Sequence, residues 1–212
     1  MRKLGKGLLW VTLALAVLVG IARATVLRSW RIPDDDPWLE ASIAPTLRGG
    51  DLVLLWRLGK PHFGDLVICP EPNRPDRLVI GRIAAESGDD IQVEGAKVTI
   101  NGRGAETEHA CDRFTVTSPT THVDVEQDCS VEAIAGHLHM RGGVQNAGVL
   151  PAPVNQKIPD GKQFLLSDNR LLPYDSRDFG LVDPDTCTEM VLFRVVGKQG
   201  FFDEKARFTF IK

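Results

Sequence analysis

Two separated stretches of this chain concentrate side chains able to do chemistry. The first reads Ser42-Ile43-Ala44-Pro45-Thr46-Leu47-Arg48-Gly49-Gly50-Asp51. The second reads Ser167-Asp168-Asn169-Arg170-Leu171-Leu172-Pro173-Tyr174-Asp175-Ser176-Arg177-Asp178-Phe179-Gly180. A serine hydroxyl is a poor nucleophile at neutral pH and needs a base to take its proton. Lys60 is the nearest lysine to Ser42, with His62 beside it, and both lie beyond the apolar run Leu52–Trp56. At ~3.3 Å per residue that run holds them on the order of 20 Å from Ser42. Taken singly, Ser42 is unremarkable, and an Asp-Ser-Arg triplet reads as a solvated turn. Asp175 and Arg177, two residues apart, share a face on which an ion pair could brace a loop.

In this order, behind an apolar N-terminus, the two stretches resemble the type I signal peptidases, membrane-anchored serine endopeptidases that remove export signals. The family patterns are S-M-x-P-T-L-x-x-G-D and G-D-N-R-x-x-S-x-D-S-R-x-x-G. The resemblance puts Ser42 at the nucleophile position. It implies that Asp168, Asn169, Arg170, Asp175, Ser176, Arg177 and Gly180 act as a scaffold that holds geometry.

The same resemblance shows what is missing. The family's base is a lysine that works while neutral, in a strand reading K-R-x-x-G-x-x-G-D. Burial in an apolar wall lowers its pKa, because an ammonium is expensive to desolvate. Here that strand reads Gly81-Arg82-Ile83-Ala84-Ala85-Glu86-Ser87-Gly88-Asp89, so the base position is Gly81. Arg82 is no substitute, since guanidinium stays protonated and the next strand position faces the other way. The family serine that bonds the lysine falls at Pro173, which has no hydroxyl and no N–H. Two residues before Ser42 stands Glu40, whose carboxylate is expected to repel a developing oxyanion. The resemblance therefore implies a signal peptidase I-like endopeptidase of export-signal processing, with impaired or lost catalysis. The alternative is a catalytically silent, membrane-tethered peptide-binding or assembly protein.

The elements that must position these residues read as strands. Leu52–Trp56, Leu66–Ile68, Leu78–Ile80, Phe164–Leu166, Met190–Val196 and Arg207–Ile211 are short apolar or alternating runs bounded by turn residues. Ile91–Val93 and Lys97–Ile100 flank Glu94-Gly95-Ala96 as a hairpin. Asp175 to Asp185 suits a short turn of helix. Gly50-Asp51, Gly64-Asp65 and Gly88-Asp89 each precede a β-rich stretch. Glycine there offers a positive φ and aspartate bonds nearby amides. The expected fold is mainly β: a signal-peptidase-like antiparallel core, an inserted hairpin-rich lobe and an N-terminal transmembrane helix. The boundaries are 1–30 for the anchor and its flanks, 31–100 plus 159–212 for the core, and 101–158 for the insert.

Residues 1–31 carry six basic side chains and no acid, whereas residues 32–212 carry a net charge of −9. An acidic body argues against nucleic-acid binding. Gly7 through Ala22 is uncharged and apolar. It is short against the ~20 residues of a spanning helix, unless it continues past a snorkelling Arg23 to Leu27. Ala22-Arg23-Ala24 also has the small-x-small form of a cleavage site. Three basic residues lie on each side of the apolar run, so charge does not orient it. On the resemblance and the cysteines, the expected topology is single-pass in the plasma (inner) membrane. The N-terminus is cytoplasmic and the body extracytoplasmic. Membrane lipid and exported precursor peptides are the expected partners.

Four cysteines beyond an apolar segment suit an oxidising compartment. Cys111 with Cys129 is the favoured pair, both lying in the insert, and Cys69 with Cys187 follows by elimination; four buried thiols are the alternative. His137 and His139 could share a strand face as metal ligands, but no third ligand is evident. No cofactor or metal is expected.

Overall fold

A computed structural model describes residues 2–134, 136–143 and 151–211. Ala135 and residues 144–150 of the expected insert lie outside the described residues. In chain order the elements are helix α1 (Arg2–Thr25), β1 (Leu27–Arg31), α2 (Pro37–Ile43), β2 (Leu52–Trp56), β3 (Leu66–Glu71) and β4 (Arg74–Ala85). There follow β5 (Asp90–Glu94), β6 (Lys97–Ile100), β7 (Arg103–Gly104), β8 (Glu106–Thr117), β9 (Asp124–Ile134), β10 (His137–Gly143) and β11 (Val154–Lys157). The chain closes with β12 (Phe164–Leu166), α3 (Ser176–Phe179), β13 (Glu189–Val196) and β14 (Thr209–Phe210).

The mainly β expectation holds. Seven strands form one sheet in the order β1-β2-β13-β3-β4-β12, with β14 paired to β13. Strands β10-β9-β8 form a second sheet and β11-β5-β6-β7 a third. All ladders between these strands are antiparallel. The Gly-Asp pairs work as one repeated device. Gly50, Gly64 and Gly88 take φ of +87°, +87° and +92°. Each following carboxylate accepts the backbone N–H three residues back: Arg48 N to Asp51, His62 N to Asp65 and Glu86 N to Asp89.

The N-terminal helix departs from expectation. It ends at Thr25, and Leu27 already opens β1, so the apolar run does not continue helically to Leu27. The side chains of residues 2–9, 21, 22 and 24 lie outside the described set. Among the described residues no helix is long and apolar enough to cross a membrane. The side chains from Trp10 to Gly20 are exposed.

Helix α2, which carries Ser42, is not among the elements expected from the sequence. Asp36 caps it, accepting from Trp38 N at 3.1 Å and Leu39 N at 3.0 Å, and Pro37 occupies the first turn. Arg77 of β4 holds the cap carboxylate with a 2.9 Å ion pair. The helix is wedged between two apolar bodies. Leu39 and Ile43, at i and i+4, bury into the main core with Ile80, Leu66 and Val53. Ala41 and Ala44 pack against Phe114, Val116 and Cys129 of the second sheet. Fully burying a side chain such as Leu39 or Ile43 is worth ~1.5–3 kcal/mol. Both disulfides are present, Cys111–Cys129 across β8 and β9 and Cys69–Cys187 between β3 and the turn before β13.

Candidate active site

Ser42 lies in the last turn of α2 and is 1% exposed. Among the described residues its hydroxyl makes one hydrogen bond, donated to the Leu39 carbonyl at 3.0 Å. That is a bond back into its own helix, not to a base. Its carbonyl accepts from Asn169 N at 3.0 Å, tying the two stretches together. Lys60 is engaged elsewhere, with Asp185 at 2.7 Å on the surface.

Gly81 lies in β4 opposite Val67 of β3. Its neighbours on the same strand face, Val79 and Ile83, belong to an apolar cluster with Leu165, Phe179 and the Cys69–Cys187 pair. A Cβ added at Gly81 would stand 2.9 Å from Leu165 Cβ. The position is thus filled from across the sheet by β12, a contact that sequence spacing gives no sign of. Pro173 is followed by Tyr174, whose backbone N–H donates to Ser167 Oγ at 3.1 Å.

The expectation for Glu40 needs correction. Two residues along a helix are about 200° apart, so Glu40 and Ser42 point to nearly opposite sides. The Glu40 carboxylate faces Lys198, 3.6 Å away, and is not positioned to repel charge developing at Ser42.

The second stretch forms a buried polar frame. Arg82 donates to Asp168 through Nε at 3.0 Å and Nη2 at 2.9 Å, with both side chains almost fully buried. Thr46 Oγ1 donates to the same carboxylate at 2.5 Å. Burial pushes the Asp168 carboxyl up, but the Arg82 charge and hydrogen bond outweigh it and hold it below the ordinary range. Asn169 Oδ1 accepts from Leu171 N and Leu172 N, while its Nδ2 is buried without a partner. Arg170 reaches the Ser167 carbonyl and Glu132 of β9. Glu132 also accepts from His139 Nε2 at 3.0 Å and forms an ion pair with Arg141, 3.1 Å away.

Asp175 caps α3 and pairs with Arg177 at 2.7 Å. It also accepts from Ser167 N, and Ser176 Oγ accepts from Leu165 N. Gly180, at φ +86°, ends α3. Thr46, Glu132, His139 and Leu165 complete the site and were not singled out for it from sequence. His139 was read only as half of a metal pair. Its ring is committed to Glu132, and no group of three or more metal-ligating side chains occurs among the described residues.

The chain is 27% identical over 157 residues to signal peptidase IB of Staphylococcus aureus, covering 72% of each chain. It is 29% identical over 198 residues to signal peptidase I of Aquifex aeolicus, covering 79% of this chain and 74% of that protein. A solved signal peptidase I from Enterococcus faecalis is similar at 20% identity with a TM-score of 0.37, over 63% of this chain and 97% of that one. Residues 6–196 match the family model for signal peptidase, peptidase S26, and the chain belongs to that family.

Proposed function

We propose that this chain is a membrane-held, signal peptidase I-like protein that receives exported precursor peptides and hydrolyses them poorly or not at all. The observation that carries the reading is the pairing of Ser42, bonded only to its own helix, with a base position that is a glycine closed by Leu165. Loss of one general base costs ~10²–10⁴ in rate. The apolar stretch of α1 serves as the single-pass anchor, with the N-terminus cytoplasmic. Two disulfides in the body support an oxidising, extracytoplasmic side. Pro173 in place of the lysine-bonding serine points the same way.

The test is cleavage of an export precursor by the full chain in nonionic detergent, beside a Ser42→Ala control. Wild type and control are expected to give the same background. Cleavage by wild type that disappears in Ser42→Ala would overturn the reading. A second reading, a silent peptide-binding or assembly protein, is favoured by the orphaned Asn169 Nδ2, a buried donor on the residue whose backbone N–H bonds the Ser42 carbonyl. It calls for saturable binding of a signal peptide with no turnover, weakened in Asn169→Asp.

A further inference from the structure

Away from Ser42, two cavities of about 350 and 400 Å³ lie end to end between β10 and the β13–β14 ladder. They share Leu138 and Ile211 as common walls. Such volumes fall in the range of small-ligand sites, ~300–1,000 Å³. The lining is mixed: Val131, Met140 and Phe210 with His109 and His139 in one cavity, Leu66, Met190 and Leu192 with Asp65, Arg82 and His137 in the other. Arg82 is spent on Asp168 and the Gly64 carbonyl, and His139 on Glu132. Met190 and Arg194 bound it on β13, four residues or ~13 Å apart.

The ends differ. At one end Arg194 lines the cavity with Thr46 and Thr209. Its Nε donates to Thr209 Oγ1 at 3.0 Å, and Nη1 reaches the Thr46 carbonyl at 3.2 Å and Asp51 at 3.4 Å. Nη2 makes no hydrogen bond among the described residues, leaving a cationic donor at an apolar mouth. Phe210 at that mouth is 69% exposed, and Phe201 and Phe208 form an exposed ring cluster beside it. Of the two guanidiniums that line the trough, Arg194 alone keeps a nitrogen without a hydrogen bond among the described residues, and it stands at the end with the exposed aromatic rim. A cationic donor there, with apolar side chains running away from it, suits a carboxylate carrying an aliphatic tail.

We infer that this trough is a binding site for a long-chain fatty acid, its carboxylate on Arg194 and its tail between β10 and β13. The site is independent of whether Ser42 hydrolyses anything. The probe is palmitate bearing a terminal diazirine, photolysed with the full chain in zwitterionic phospholipid nanodiscs. Label is expected around Leu66, Met190 and Leu192, competed by palmitate and not by the same concentration of hexadecanol. Leu138→Trp and Met190→Trp plug the trough from opposite walls and should each cut that labelling ~tenfold or more. If one plug does not fold, by circular dichroism, the other and the alcohol competition decide. Label confined to α1, equal competition by hexadecanol, or labelling indifferent to a folded plug would each overturn the assignment.

Discussion

Adding one carbon at Gly81 tests whether the base position is closed rather than merely empty. The added Cβ meets Leu165 Cβ at 2.9 Å, Leu165 Cδ1 at 3.6 Å and Leu165 Cα at 3.7 Å. Only the first contact is intolerable, and it involves an atom fixed to the β12 backbone rather than a flexible tip. Overpacking of this kind costs ~1–3 kcal/mol. Replacing a strand glycine with alanine returns ~0.5–1 kcal/mol of chain entropy. Gly81→Ala is therefore expected to destabilise by roughly 1 kcal/mol, within the ~0–2.5 kcal/mol that those two ranges leave.

The offending atom also dictates the second arm of the cycle. Leu165→Ala keeps its Cβ and leaves the clash in place, whereas Leu165→Gly removes it. Urea unfolding of the full chain in nonionic detergent should show a favourable coupling of ~1–2 kcal/mol between Gly81→Ala and Leu165→Gly. With Leu165→Ala the coupling should be near zero. Equal coupling of Gly81→Ala to both Leu165 variants would refute the closed site. The same contact governs any attempt to restore a base. Gly81→Lys with Pro173→Ser is expected to stay inactive on an export precursor unless Leu165 also yields.

Three further outcomes are expected. Arg82→Met or Asp168→Asn alone should cost ~3–5 kcal/mol in chemical unfolding, since each strands a buried polar partner, while Arg82→Met with Asp168→Leu should cost less than the two summed. Burial, helped by the charges of Arg82 and Arg170, lowers the His139 pKa despite opposing contributions from Glu132 and Asp168. A folded-state pKa below the unfolded one makes stability complete above pH ~6.5 and progressively lost as pH falls below it, so a pH series of melting temperatures should flatten in that window in His139→Gln. Removing Cys69–Cys187, which spans 118 residues, should cost ~5 kcal/mol against ~3 kcal/mol for Cys111–Cys129, which spans 18, as unfolding of the paired alanine variants would show.

Elements governed by local rules were legible in the sequence. Leu52–Trp56 and Lys97–Ile100 are strands with those bounds, and the Gly-Asp turns do what their chemistry requires. Both disulfides were named. Features created by long-range packing were not. Of Arg207–Ile211 only Thr209–Phe210 forms a strand, paired with Arg194 and Phe193, with Phe208 N and Ile211 N bonded to the Val195 and Leu192 carbonyls on either side. The expectation for Glu40 came from its position two residues before Ser42, and helical geometry turns that side chain toward Lys198 instead. The start of that helix was written as Asp36-Pro37, an N-cap followed by a first-turn proline. Leu165 was invisible, since its approach to Gly81 depends on an irregular register between β12 and β4.

The buried polar frame built by the second stretch has a structural account that needs no chemistry at Ser42. Asp168 neutralises Arg82 and anchors Thr46; Asn169 ties its own loop to the Ser42 carbonyl; Arg170 joins the core to Glu132 of the insert; Asp175 caps α3 and holds Ser167 N. Each of these bonds is buried, so losing any partner would leave a polar group unsatisfied at ~1–3 kcal/mol or more. Positions 81 and 173 carry no such obligation: one is a backbone packed against Leu165, the other a proline with no donor to lose. A lysine at 81 would have to be desolvated within an apolar cluster, an expense justified only by catalysis. The residues that hold the fold are therefore separable in this scaffold from positions 81 and 173, which packing does not oblige to carry a base.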